Sequence, residues 1–118
     1  MTYAFTFGFL VTRANGLRLT EARLDQLTDE LMSDMVDRET DVVFDPGVGA
    51  TLTTAEVDID LTVKARDEVA AAATARDFVI QSIRAIGGTP IGLFVFPHSP
   101  TESPREEWHE RKAELVIA

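Results

Sequence analysis

Glu56, Asp58 and Asp60 stand at every second position of the alternating stretch ATLTTAEVDIDLTVKAR, Ala50 to Arg66. On an extended chain this spacing puts three carboxylates on one side, roughly 6.5 to 7 Å apart between successive Cα atoms. Oxygen ligands so placed suit a hard cation such as magnesium or calcium, and paired carboxylates suit proton transfer. The same pattern is also the solvated side of an antiparallel sheet. With no further oxygen ligands identifiable in the sequence, that second reading is the stronger one, and neither a metal nor a cofactor is expected.

The other candidate chemistry is sparser. The two histidines, His98 and His109, have no partner at H-x-x-x-H spacing, which argues against zinc. His109 with Glu106 or Glu110 has the residue types for proton transfer, but a charged, solvated segment accounts for them equally. Gly47-Val48-Gly49-Ala50-Thr51 has the glycines of a phosphate-binding loop without its lysine, and it precedes a strand rather than a helix, so it reads as a hairpin turn. Arg13 and Arg18 precede a helix start at Thr20, where an anion could sit, although loop arginines are commonly surface charge. No serine lies in a G-x-S-x-G context, and there is no cysteine to act as nucleophile, metal ligand or disulfide partner.

These residues need elements to hold them. The chain has 118 residues, of which 45% are apolar and 8% aromatic, enough for one packed domain. Eleven Lys and Arg against twenty Asp and Glu give a net charge of −9, which disfavours nucleic-acid phosphates and anionic membrane surfaces and suits a basic protein partner. The first residues, MTYAFTFGFLVTR, lack the basic region and cleavage site of a signal peptide, and no apolar run approaches the ~20 residues of a membrane span. A soluble, cytoplasmic protein is expected.

Tyr3, Phe5, Phe7, Phe9 and Val11 alternate with small residues, predicting a central strand with an aromatic core side. Thr20 caps a predicted helix over about 21–37, with Leu24, Leu27, Leu31 and Met35 as its apolar stripe. A short strand over 41–44 and a turn at Asp45-Pro46-Gly47 lead into the long alternating strand, forming a hairpin. Asp67 caps a second helix to about Ile86, its buried stripe traced by Val69, Ala72, Val79, Ile83 and Ile86, and Gly87 and Gly88 close it. Ile91 to Phe96 is a final apolar strand. Pro97, Pro100 and Pro104 mark a linker, and Ser103, Pro104 and Glu106 carry the cap, first-turn proline and capping-box glutamate of a C-terminal helix.

This order resembles the ferredoxin-like βαββαβ sandwich, an α+β fold whose antiparallel sheet carries two helices on one face. The expected organisation is a ferredoxin-like domain over 1–97, followed by a Pro-rich linker and helical tail over 98–118. The resemblance implies that the last strand lies at an edge beside the first, and as a fold-level likeness it implies no activity.

The last strand is apolar on both sides, with Ile91, Leu93 and Val95 on one and Phe94 and Phe96 on the other, so something should cover it. The cover is either the C-terminal segment with Trp108 or a second copy, and the expectation is a homodimer or higher oligomer that buries Leu10, Ile91, Leu93, Val95, Trp108 and Leu115 and leaves Glu56, Asp58 and Asp60 wet at the margin. The expected function is a non-enzymatic protein-interaction or regulatory module. The alternative is a small-molecule binder or enzyme whose pocket between sheet and helices is lined by Phe5, Phe7 and Phe9.

Overall fold

A computed structural model of the chain describes residues 1–92 and 106–117. Seven elements follow in order: β1 (Thr2–Arg13), α1 (Glu21–Asp37), β2 (Val43–Thr51), β3 (Glu56–Lys64), α2 (Glu68–Ala85), β4 (Gly88–Ile91) and β5 (Glu106–Ile117). They form an α+β domain with a mixed five-stranded sheet in the order β2-β3-β1-β5-β4, compatible with a ferredoxin-like sandwich.

Both helices start where the sequence places them. Thr20 Oγ1 accepts a hydrogen bond from the Arg23 N–H at 3.1 Å, and Asp67 Oδ1 accepts one from Ala70 at 2.8 Å. Caps of this kind are worth about 1 kcal/mol each. The α1 stripe Leu24, Leu27, Leu31 and Met35 is buried throughout. The α2 stripe is displaced from expectation: Val69 is 81% exposed, and Ala71, Ala75, Phe78 and Ser82 join Val79 and Ile83 in the interior. Methyl-sized Ala71 and Ala75 allow close approach to the sheet, which a β-branched residue there would prevent. Gly87 ends the helix at φ +87°, in the left-handed region open to glycine.

Arg38, at the C-terminal end of α1, clasps the helices together. It donates to Ser82 Oγ at 2.8 Å and to Asp34 Oδ2 at 3.2 Å, and its guanidinium lies 4.7 Å from the Phe78 ring centroid. The wholly buried Ser82 hydroxyl is thereby satisfied.

β1 and β3 pair antiparallel over Thr2–Leu10 and Glu56–Lys64, with Phe5 opposite Leu61, Phe7 opposite Ile59 and Phe9 opposite Val57. Facing residues in such a pair share a side. One side is therefore wholly apolar and closes on the helices.

β2 and β3 pair antiparallel as the expected hairpin, but its turn lies elsewhere. Asp45-Pro46-Gly47 is no turn: it lies within β2 at a register irregularity, with Asp45 at φ +53°, and the strand runs on through Gly47-Val48-Gly49-Ala50-Thr51. The reversal falls at residues 52–55, where Ala55 adopts φ +58°. Proline is tolerated because β2 is an edge strand and the bulge frees its position from the ladder.

A larger correction concerns the chain end. Glu106 to Ile117, expected as a helix, is a twelve-residue strand. It takes the place beside β1 expected of the last βαββαβ strand, while β4 pairs parallel with β5 at the outer edge. The reason lies in β1, whose twelve residues need partners on both sides. β4 spans only four residues and is followed by Gly92 at φ +90°, so it cannot cover that length. Backbone pairing overrides the capping-box cue of the local sequence. Leu93 to Phe96, the proline linker and the helix start at Ser103 and Pro104 lie outside the described residues.

β5 carries Trp108 into the core. The indole is 0% exposed, opposite Val11 on β1 and edge-on to Phe9 with centroids 5.9 Å apart. It fits because Gly88 has no side chain: a Cβ there would lie 2.5 Å from Trp108 Nε1 and 2.8 Å from Ile83 Cγ2. Gly88→Ala should therefore destabilise the fold by about 1 to 3 kcal/mol, and chemical denaturation should show it as a lowered midpoint.

Candidate functional site

The helices cover one side of the sheet, and the other side carries most of the residues with candidate chemistry. Its rows follow from the register. Thr51, Glu56, Leu10, His109 and Ile91 lie across the five strands in one row. Gly49, Asp58, Gly8 and Lys112 form the next, and Gly47, Asp60, Thr6 and Glu114 a third. The β3 column is acidic, the β1 column small and nearly neutral, and the β5 column mixed.

Within this face Glu56, Asp58 and Asp60 are exposed on β3. Thr6 donates its hydroxyl to Asp60 Oδ1 at 2.6 Å. Asp58 and Lys112 flank Gly8, since a Cβ on that glycine would lie 3.3 Å from both Asp58 Oδ1 and Lys112 Cβ. Among the described residues no group of three His, Cys, Asp or Glu side chains is close enough to hold a metal ion. What the arrangement offers is a solvated carboxylate column with one hydroxyl donor and a neighbouring lysine, suited to electrostatic contact.

His109 Nε2 is 3.4 Å from both Thr12 Oγ1 and Glu107 Oε1. The carboxylate nearest this imidazole is thus Glu107, not Glu106 or Glu110. Those two point to the helix side. Glu106, 5% exposed, meets Arg23 of α1 at 3.1 Å, and Glu110 meets Arg76 of α2 at 2.7 Å. Glu106, Trp108 and Glu110 share one parity, so an alternating reading of the tail would have located both latches; the capping-box cue hid them. His98 lies outside the described residues.

The six expected contact residues divide. Leu10, half-buried, and Ile91, 37% exposed, share the open face on either side of His109. Leu115 is opposite Phe5 and packs on the core, and Trp108 is enclosed within it. Leu93 and Val95 lie outside the described residues. Phe5, Phe7 and Phe9 are 6%, 2% and 1% exposed and fill the space between sheet and helices.

A shallow cleft sits instead at the end of the sheet, lined by Leu10, Val11, Thr12, Gly16, Arg18, Thr53, Thr54 and Ala55. Two turns frame it, the one at Asn15-Gly16 and the one between β2 and β3. The first is fixed by Gly16 donating to the Arg13 carbonyl, Arg13 to the Leu17 carbonyl and Leu17 to Asn15 Oδ1. Arg18 bridges the turns by donating to the Thr53 carbonyl. It therefore serves this cleft, rather than the helix start at Thr20.

No protein-family model matches the chain, and no curated protein matches it significantly. None of the described helices is long and apolar enough to cross a membrane.

Removing the Glu106 carboxylate would leave Arg23 facing a buried gap. Glu106→Ala should cost about 1 to 3 kcal/mol. Thermal unfolding with and without the substitution measures this, and Glu107→Ala, on the solvated face, should move the midpoint far less.

Proposed function

We propose that the protein is a small, acidic, non-enzymatic interaction module that self-associates through the open side of its sheet. The supporting observation is the row in which Leu10 and Ile91 flank His109, with the acidic column of β3 beside it and a second apolar row, Phe44 and Ala4 on either side of Thr62, farther along the same face. The charged columns, unequal from side to side, set the geometry.

A two-fold axis lying across the strands would set the Glu56, Asp58 and Asp60 column of one copy over the same column of the other, and like charges oppose that pairing. An axis running along β1 sets the column over β5 of the second copy, where Lys112 and His109 stand. There Lys112 faces Asp58 and His109 faces Glu56, while Glu114 faces Asp60, so the second arrangement opposes fewer like charges than the first. A basic protein partner engaging the same acidic column is the corresponding hetero-complex, and the regulatory role follows from competition between the two.

The wild-type protein should run as a dimer in light scattering at micromolar concentration. Lys112→Glu, which places an acid over the acidic column, should raise the dimer dissociation constant about tenfold, and Ile91→Glu should do at least as much. A clean monomer mass for the wild type would count against the proposal.

A further inference from the structure

The cleft beside Arg18 shares Leu10 with the self-association face and Val11 and Ala55 with the core, but Arg18, Thr53 and Thr54 belong to neither. We infer that it is a binding site for a small monocarboxylate with a short apolar tail.

Three features point to that class of ligand. The first is charge. In a chain with nine more acidic than basic residues, Arg23, Arg38, Arg66 and Arg76 each meet a carboxylate. Arg13, Arg18, Arg84 and Arg111 meet none among the described residues, and of these Arg18 is the one that lines the concavity, its one described bond being to the Thr53 carbonyl. A guanidinium has five N–H donors in a planar fork that fits a carboxylate with two parallel hydrogen bonds. One donor fixes the side chain to the turn, and the others are left for a ligand.

The second is preorganisation. The backbone of Arg18 is held by a bridge to Thr12 and by the hydrogen-bonded turn before it. Opposite, Ala55 is held at φ +58° while its carbonyl accepts from Val11 at 2.9 Å. A buried alanine in the left-handed region costs of order 1 kcal/mol, a strain that binding sites often retain. Both walls are thus set before any ligand arrives.

The third is the lining. Half-buried Leu10 is the apolar surface a ligand would reach, with Val11 and Ala55, 0% and 5% exposed, enclosed behind it, and Thr12, Thr53 and Thr54 contribute polar atoms at the rim. The volume is about 250 Å³, below the roughly 300 to 1,000 Å³ of pockets that take drug-sized ligands. Glu56 follows Ala55 directly and stands opposite Leu10, so a second negative charge on the ligand would be repelled. A short-chain monoacid satisfies all three features, whereas a phosphate dianion satisfies only the first.

The test is a titration of the full-length protein with butyrate, acetate and inorganic phosphate at constant ionic strength, read by amide NMR. Butyrate should shift the Gly16, Thr53 and Thr54 amides saturably, acetate should bind more weakly, and phosphate should do no more than chloride. Arg18→Gln should weaken butyrate about tenfold or more. Arg18→Lys keeps the charge and a donor for the Thr53 carbonyl but loses the planar fork, so it should also bind less tightly while its spectrum stays folded. Butyrate shifts no larger than those of chloride, or wild-type butyrate affinity in the folded Arg18→Lys protein, would overturn the inference.

Discussion

Everything in this fold depends on one insertion: β5 enters the sheet beside β1 and brings Trp108 into the core. The indole lies edge-on to Phe9 and opposite Val11 on β1, and it fills, with Ile83 of α2, the space left by the bare backbone of Gly88 in β4. A single side chain thus joins three strands and a helix that are distant in sequence. Its Nε1 donor has no hydrogen-bond partner among the described residues, an omission that typically costs about 1 to 3 kcal/mol. The packing outweighs that cost, since burying a tryptophan contributes on the order of several kcal/mol. On either side of it Glu106 and Glu110 pair with Arg23 of α1 and Arg76 of α2, so β5 is tied to both helices.

Most of the first 85 residues are legible in the sequence because local signals and burial agree there. Thr20 and Asp67 cap where a cap is expected, and the odd residues of β1 and β3 are buried as their alternation predicts. Legibility fails where tertiary pairing overrules a local cue. Asp45-Pro46-Gly47 has the composition of a turn, yet an edge strand absorbs it as a bulge. Ser103, Pro104 and Glu106 have the composition of a helix start, yet Glu106 begins a strand because β1 needs a partner as long as itself. The open face was only partly legible for the same reason: Leu10 and the three carboxylates could be placed from β1 and β3, but His109 and Lys112 reach that face only through β5.

Two regions with different chemistry result. The open face is unequal from side to side, with acid on β3, mixed charge on β5 and apolar Leu10, Ile91 and Phe44 at its ends. The cleft at its end is small, walled by two fixed turns and headed by Arg18. Under the two proposals made above, the acidity of the chain acts locally as well as globally, selecting which surfaces would meet and what ligand charge the cleft would tolerate.

Native-state hydrogen exchange tests the central claim most directly, because amides of a strand integral to the core open only with global unfolding. The ladder between β1 and β5 predicts that the amides of β5 paired to Phe5, Phe7 and Val11 exchange as slowly as those of β3. Fast exchange through β5, with β1 and β3 still protected, would contradict the account and return the chain end to the status of a peripheral tail.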